Sequence, residues 1–213
     1  MNKIILGLCS LLLVAACDAQ SVAGLPSPAK ISTNKLLPVI AVRGPEIKIN
    51  GTIVWLGDTL DSWKRVLGGT PTCYDAGLIV SCVWHSNGLT LGTGQTDKTR
   101  VKFMNLHITI LPPELGERAP SWPKSAFHGT LELDGNPIDT KTVFRDLRRQ
   151  VPSERQLRCG GRDCGNPSAV FSDMASIYMN LDGRSEDSRI LHFSISCHST
   201  ESCTAAIPSQ AKK

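Results

Sequence analysis

Cysteine is the residue type with the clearest chemistry in this chain, which has eight cysteines among 213 residues. Six of them follow the N-terminal region in close pairs: Cys73 and Cys82, Cys159 and Cys164, Cys197 and Cys203. Such thiols form disulfides in an oxidising compartment or bind a metal ion as thiolates. Zinc sites usually combine two pairs spaced two to four residues apart, which Cys159, Cys164, Cys197 and His198 do not match. We therefore predict disulfides and no metal, although six cysteines allow many pairings.

The N-terminal region decides which compartment these cysteines meet. Lys3 precedes an apolar run over residues 4–14, which has the length of a signal-peptide core and is too short to span a bilayer. Val14-Ala15-Ala16-Cys17 then resembles a bacterial lipobox. The resemblance implies that residues 1–16 are removed and that Cys17 is lipidated; the alternative is an ordinary signal with an incidental cysteine. By resemblance to enteric lipoproteins, Asp18 favours retention at the inner membrane over the outer.

Histidine offers the second possible chemistry, at His85, His107, His128, His192 and His198. His107 and His192 occupy equivalent places in two similar strands and face away from the Leu and Ile side. They could form a paired site, but solvent-facing strand residues are the simpler interpretation. The chain has no G-x-S-x-G, H-E-x-x-H or phosphate-binding glycine loop, and no close acid pair outside turns. We therefore predict that it is not an enzyme and uses no cofactor.

Arginine forms the densest charge cluster, which comprises Arg145, Arg148, Arg149, Arg155, Arg158 and Arg162. Guanidinium groups bind carboxylates and phosphates well, so these residues are candidates for contact with an acidic partner. The alternative is a solvated helix face followed by its loop. Trp55, Trp84 and Trp122 are possible interface anchors, although core packing is at least as plausible for each.

Two series of similar elements follow one another along the chain. Ile47-Lys48-Ile49-Asn50-Gly51 corresponds to Leu131-Glu132-Leu133-Asp134-Gly135, each an alternating strand that enters a strong hairpin turn signal. Leu106-His107-Ile108-Thr109-Ile110 corresponds to Leu191-His192-Phe193-Ser194-Ile195. The glycines are 84 residues apart and the leucines 85. This agreement predicts a tandem repeat.

A helical pattern follows each hairpin signal. In the first, Asp58 or Thr59 can cap the helix and Gly68 ends it. In the second, Asp139 or Thr140 can cap the helix and Pro152 ends it. Each unit then consists of two strands, a helix and two strands, which is an α+β fold: antiparallel sheets, each with one covering helix and stapled by disulfides.

The repeat suggests where the segments of the chain begin and end and which cysteines form disulfides. We predict a signal peptide over residues 1–16, a lipidated tether over 17–44, ββαββ repeats over 45–113 and 126–204, a linker over 114–125 and a C-terminal tail over 205–213. Part of the tether, residues 36–42, is apolar enough to dock on the folded body. Equivalent positions suggest the pairs Cys73–Cys82 and Cys159–Cys164, which leaves Cys197–Cys203.

The composition is ordinary for a globular chain, with 41% hydrophobic and 20% charged residues. Loss of the signal peptide removes one of the 23 basic residues, and 19 acidic residues then leave a net charge of about +3. This is too weak to indicate a nucleic-acid partner.

The assembled pattern resembles the immunity lipoproteins that Gram-negative bacteria pair with type VI secretion effectors, particularly phospholipase effectors. The resemblance depends on the lipobox, on Ile49-Asn50-Gly51 with Leu56-Gly57-Asp58-Thr59-Leu60 and Trp63, and on the second copy over residues 127–139. It implies a periplasmic, lipid-anchored protein that occludes a cognate toxin, and it brings no catalytic residue. An envelope assembly lipoprotein and an enzyme with a pocket that gathers His85, His107 and His192 remain alternatives.

Overall fold

The computed structural model describes residues 37–43, 46–110, 121–165 and 175–197, and all of them belong to one compact unit, Leu36–Lys213. The predicted signal peptide and Cys17 lie outside the described residues. Neither described helix is long and apolar enough to cross a membrane. In chain order the elements are β1 (Val39–Arg43), β2 (Glu46–Ile49), β3 (Thr52–Val54), α1 (Leu60–Leu67), β4 (Thr72–Asp75), β5 (Val80–Trp84), β6 (Leu89–Thr93), β7 (Val101–His107), β8 (Thr130–Leu133), β9 (Asn136–Ile138), α2 (Phe144–Gln150), β10 (Arg158–Gly160), β11 (Asp163–Gly165), β12 (Ala175–Leu181) and β13 (Ile190–Cys197).

The strands form two sheets, which confirms the α+β class. The five-stranded sheet has the order β3-β2-β1-β8-β9, and the eight-stranded sheet has the order β10-β11-β12-β13-β7-β6-β5-β4. The structure does not show the predicted tandem repeat of two ββαββ units with separate sheets. Four strands follow each helix rather than two, and each sheet takes strands from both halves of the chain.

The hairpin turns were predicted correctly. Asn50 and Gly51 have φ values of 50° and 85°, and Asp134 and Gly135 have values of 53° and 85°. These left-handed conformations match the right-handed twist of the flanking strands, and Asn, Asp and Gly adopt them at least cost. The two turns connect β2 with β3 and β8 with β9.

The helix ends were predicted correctly in the first half and only in part in the second. The Thr59 hydroxyl accepts a bond from the Ser62 N–H and Gly68 ends α1. Helix α2 starts after Val143, which has no side-chain cap. Asp139 instead accepts a bond from the Lys141 N–H in a turn, so the predicted cap at Asp139 or Thr140 is wrong.

Strand β1 falls inside the range predicted as tether. It pairs antiparallel with β2 and parallel with β8, so it joins the two hairpins in one sheet. Ile40 and Val42 are fully buried. The apolar character of residues 36–42 therefore reflects a central strand, and the folded body begins before residue 45.

One continuous core joins the inner faces of both sheets and the buried sides of both helices. Trp63 of α1, Phe144 of α2 and Phe193 of β13 are its largest fully buried aromatic side chains. Alternate residues of β7, β12 and β13 point into this core, and the residues between them face away. The eight-stranded sheet consequently has a second, outer face.

Two of the three predicted disulfides are confirmed. Cys73–Cys82 joins β4 to β5 and Cys159–Cys164 joins β10 to β11, so one bond lies at each edge of the eight-stranded sheet. Cys203 of the third predicted pair lies outside the described residues.

Candidate functional site

Polar side chains dominate the outer face of the eight-stranded sheet in its central strands. The ladder places His107 opposite His192, and Asn105 opposite Ser194. Ser194 in turn lies opposite Tyr178 on β12. Because these residues alternate with core residues, His107 and His192 lie on the outer face, as predicted. His192 is nevertheless partly buried there and does not face open solvent.

The two histidines form a compact aromatic group with a tryptophan from the chain segment that precedes β8. The ring centroids of His107 and His192 are 4.9 Å apart with an edge-on orientation, and those of His107 and Trp122 are 5.5 Å apart. Trp122 remains 45% exposed. Of the two alternatives, Trp122 therefore lies at the surface, whereas Trp84 is buried in the core.

Burial determines the charge of His192. It lowers the pKa of this imidazole to about 3, and the charge of His107 acts in the same direction. His192 is therefore neutral at physiological pH. Its Nδ1 atom is buried without a hydrogen-bond partner in the described part of the chain, and so is the Thr90 hydroxyl. Each such atom costs on the order of 1–3 kcal/mol.

A groove of about 780 Å³ lies along this face, and His107, His192, Thr90 and Trp122 all line it. Its charged lining residues are Arg162, Arg189 and Asp182. The Arg189 side chain donates from Nε to Asp182 Oδ2 at 2.7 Å, and the Arg189 backbone N–H donates to Oδ1 at 2.9 Å. Although burial opposes ionisation, these bonds lower the pKa of Asp182. The groove thus has one internally paired arginine and one further arginine.

A hydrogen-bonded triad borders the groove at β11 and β12. Tyr178 donates its hydroxyl to Asp163 Oδ1 at 2.5 Å, and the Asn180 amide donates to the same oxygen at 2.8 Å and to the Tyr178 oxygen at 3.0 Å. Burial and then the bond to Asp163 raise the pKa of Tyr178. These bonds fix the orientation of side chains that are otherwise open to solvent.

Half of the predicted arginine cluster is paired with acidic side chains. Arg145 pairs with Asp187 at 2.6 Å, Arg148 pairs with Glu186, and Arg155 is buried and pairs with Asp134. Within the described ranges, no ion pair involves the other three, Arg149, Arg158 and Arg162. Of the six, Arg162 is the residue that the structure brings to the groove.

Other predicted residues lie elsewhere. His85 is not among the groove residues, and its Nε2 lies 3.4 Å from the Tyr74 hydroxyl. His198 lies outside the described residues. The sequence analysis did not identify Tyr178, Asn180 and Asp163 as candidate site residues. Tyr178 and Asn180 alternate with the apolar Ile177 and Met179, and this pattern indicates that their side chains lie on the outer face.

Comparison with known families gives one match. A family model described as a domain of unknown function, DUF7738, matches residues 39–148, just over half of the chain. The match includes His107 and Trp122 and ends within α2, before His192. No curated protein and no solved structure matches the chain.

Proposed function

Because the chain belongs to the DUF7738 family, whose description assigns no activity, we propose a function from its geometry and sequence. We propose that it is a lipid-anchored immunity protein of the periplasm. It binds a cognate secreted toxin, a type VI phospholipase effector, and inhibits the toxin by occlusion.

The observation that carries this proposal is the outer face of the eight-stranded sheet. Tyr178 of β12 is 41% exposed, and Ser194 and Asn105 follow it across the ladder. Trp122, which contacts His107 of β7 from outside the strands, is 45% exposed. Tyr, Trp, Ser and Asn dominate surfaces that bind other proteins, because the aromatics give large contact areas and the small polar residues adapt their hydrogen bonds. Occlusion needs roughly 800 Å² per partner and no chemistry.

The disulfides support a binding role because each one closes a hairpin at an edge of this sheet. A surface that is already rigid loses less conformational entropy when a partner binds. Two disulfides are also compatible with an extracytoplasmic location. Lipidation of Cys17 would hold the surface beside the membrane that a phospholipase attacks, with Asp18 favouring the inner membrane.

We also propose that the body arose by duplication of a unit longer than ββαββ. A hairpin, a helix and four strands occur in this order in β2–β7 with α1 and again in β8–β13 with α2. His107 and His192, 85 residues apart, are then equivalent residues that face each other in the central ladder. Superposition of the halves along this order tests the duplication, and a mismatch of the two helices would count against it.

Periplasmic co-expression with the effector encoded beside this protein tests the immunity function. Wild-type protein should restore growth, and a Trp122→Ala/Tyr178→Ala double variant should not, because anchor residues at interfaces contribute more than about tenfold to affinity. Leu78→Ala/Ile53→Ala is the matched control, since Leu78 and Ile53 are exposed apolar residues that do not line the groove. Failure of the wild type to protect would refute the proposal.

An enzymatic role is the second candidate, and the specific observation in its favour is that the groove gathers two of the three predicted histidines, His107 and His192. A single His107→Gln substitution would then abolish the phenotype. An occluding surface instead loses function only when several contacts are removed together.

A further inference from the structure

The groove on the outer face has a chemistry of its own, distinct from that of a flat protein-binding surface. We propose that it binds a saccharide that carries a single carboxylate. The ligand lies against Trp122 and the His107–His192 pair, with Arg162 facing its carboxylate. This site goes beyond the proposed immunity function, with which it shares Trp122, and its test is made without the toxin.

The dimensions of the groove suit a small molecule. Its volume of about 780 Å³ lies within the range of ligand sites, roughly 300–1,000 Å³. Such sites combine aromatic walls with a few oriented polar groups. A flat contact surface for a protein needs no comparable hollow.

Trp122 supplies the aromatic wall. Its indole packs against His107 at 5.5 Å between ring centroids and is still 45% exposed. A pyranose ring has a face of C–H bonds and a rim of hydroxyl groups, so an indole covers the face while polar neighbours bind the rim. Phe103 adds a second ring to the lining, and it lies across Gly92 on the adjacent strand.

The polar lining suits hydroxyl groups. Neutral side chains that both donate and accept hydrogen bonds make up most of it, including Asn105, Asn180, Ser81 and Thr109. The Asn180 amide is held by Asp163 and by Tyr178, so its orientation is fixed before a ligand arrives.

The charge of the lining selects an acidic ligand. Among the lining arginines and carboxylates, Arg162 and Arg189 stand against Asp182, which leaves one positive charge among these three. The Asp163 carboxylate lies at the border of the groove, where Tyr178 and Asn180 donate hydrogen bonds to it. Arg189 is bound to Asp182. Arg162, which makes no ion pair within the described residues, is the group that can bind a carboxylate. A polyphosphate would need more positive charge than this lining provides.

Titration of the purified full chain with matched sugar pairs tests the site, in a detergent without a sugar head group. N-acetylmuramic acid differs from N-acetylglucosamine by a lactyl ether, which carries a carboxylate, in place of one hydroxyl group. Glucuronic acid differs from glucose by a carboxylate in place of the hydroxymethyl group. Calorimetry and indole fluorescence give the dissociation constants, and a Trp122→Phe variant identifies the signal of Trp122. We expect an acidic sugar to bind at least about tenfold more tightly than its neutral counterpart.

Substitutions locate the binding in the groove. Trp122→Ala and Arg162→Gln should each raise the dissociation constant of the acidic sugar about tenfold, and Arg149→Gln, an exposed arginine of α2 outside the groove, should not change it. The proposal is overturned if neither acid binds at about 10 mM, if acid and neutral members bind equally, or if Arg149→Gln has the same effect. Occupation of the groove by a protein partner with no sugar binding would also overturn it. The assay requires no toxin, so its failure is separate from failure of the immunity function.

Discussion

Replacing Arg155 by methionine should unfold this protein far more easily than the same replacement of Arg145. The side chains of Arg155 and Asp134 are only 10% and 12% exposed, and Arg155 donates from both Nε and Nη2 to the two carboxylate oxygens. Arg155→Met keeps an unbranched apolar stem, removes the guanidinium group and leaves the Asp134 carboxylate buried without its partner. Breaking a buried pair in this way costs about 3–5 kcal/mol.

The surface pair provides the matched comparison. Arg145 and Asp187 are 43% and 58% exposed, and pairs in such positions contribute about 0–1 kcal/mol. Allowing for the residual exposure of Asp134, we expect Arg155→Met to lower the free energy of unfolding by about 3 kcal/mol. For a body of this size that corresponds to a fall in Tm of roughly 6–12 °C.

Urea denaturation followed by circular dichroism, with the disulfides intact, gives both free energies. A second variant, Asp134→Asn/Arg155→Met, removes the buried charge and keeps a residue that tolerates the φ of 53°. It should recover about 1–2 kcal/mol relative to Arg155→Met. Equal losses for Arg155→Met and Arg145→Met would refute the reasoning and would return Arg155 to the set of surface arginines available to a partner.

Three further perturbations test other parts of the structure. Gly92→Ala would place a Cβ 1.8 Å from Phe103 Cζ, so the Phe103 ring must move. Thermal melting should show a loss of stability of about 1–3 kcal/mol. The double variant Gly92→Ala/Phe103→Leu should regain most of this stability, because the shorter side chain leaves room for the Cβ. Because the pKa of His192 falls from 6.5 to about 3 on folding, the unfolded chain binds more protons between these values and stability decreases as pH falls through that window. His192→Leu should flatten the dependence of Tm on pH there, and an unchanged slope would contradict the assigned burial effect. Replacing Cys73 and Cys82 together by alanine should lower the free energy of unfolding, measured by urea denaturation, by about 2–3 kcal/mol. This is the entropic contribution expected of a disulfide that closes a short loop. An unchanged free energy would show that this disulfide does not stabilise the fold.

Local features of this fold were predictable from the sequence, and the pairing of distant strands was not. Asn50-Gly51 and Asp134-Gly135 specify their turns because their side chains tolerate positive φ, and Thr59 specifies a cap by its hydroxyl. Alternation predicts which face of β7 or β13 is buried, but it carries no information about the neighbouring strand. The merger of both halves into shared sheets therefore could not be predicted.

The same limit applies to the groove. The equivalence of His107 and His192 in sequence was visible, and their outward direction follows from the strand period of two. Trp122 reaches them from outside the regular strands, and Arg162 comes from the turn between β10 and β11. Positions such as these depend on the path of the chain in space, for which the sequence contains no periodic signal.

The position of β1 between β2 and β8 constrains the order in which this chain can fold. Its ladder with β8 joins Val39 to Thr130 and closes a loop of about 90 residues. The chain must lose the conformational entropy of that loop before the sheet is complete. The central ladder between β7 and β13 requires the closure of a loop of similar length. Contacts of this separation slow folding. Neither half can therefore reach its final structure before the other is present. Until the second half is present, the β1 edge that pairs with β8 stays unpaired.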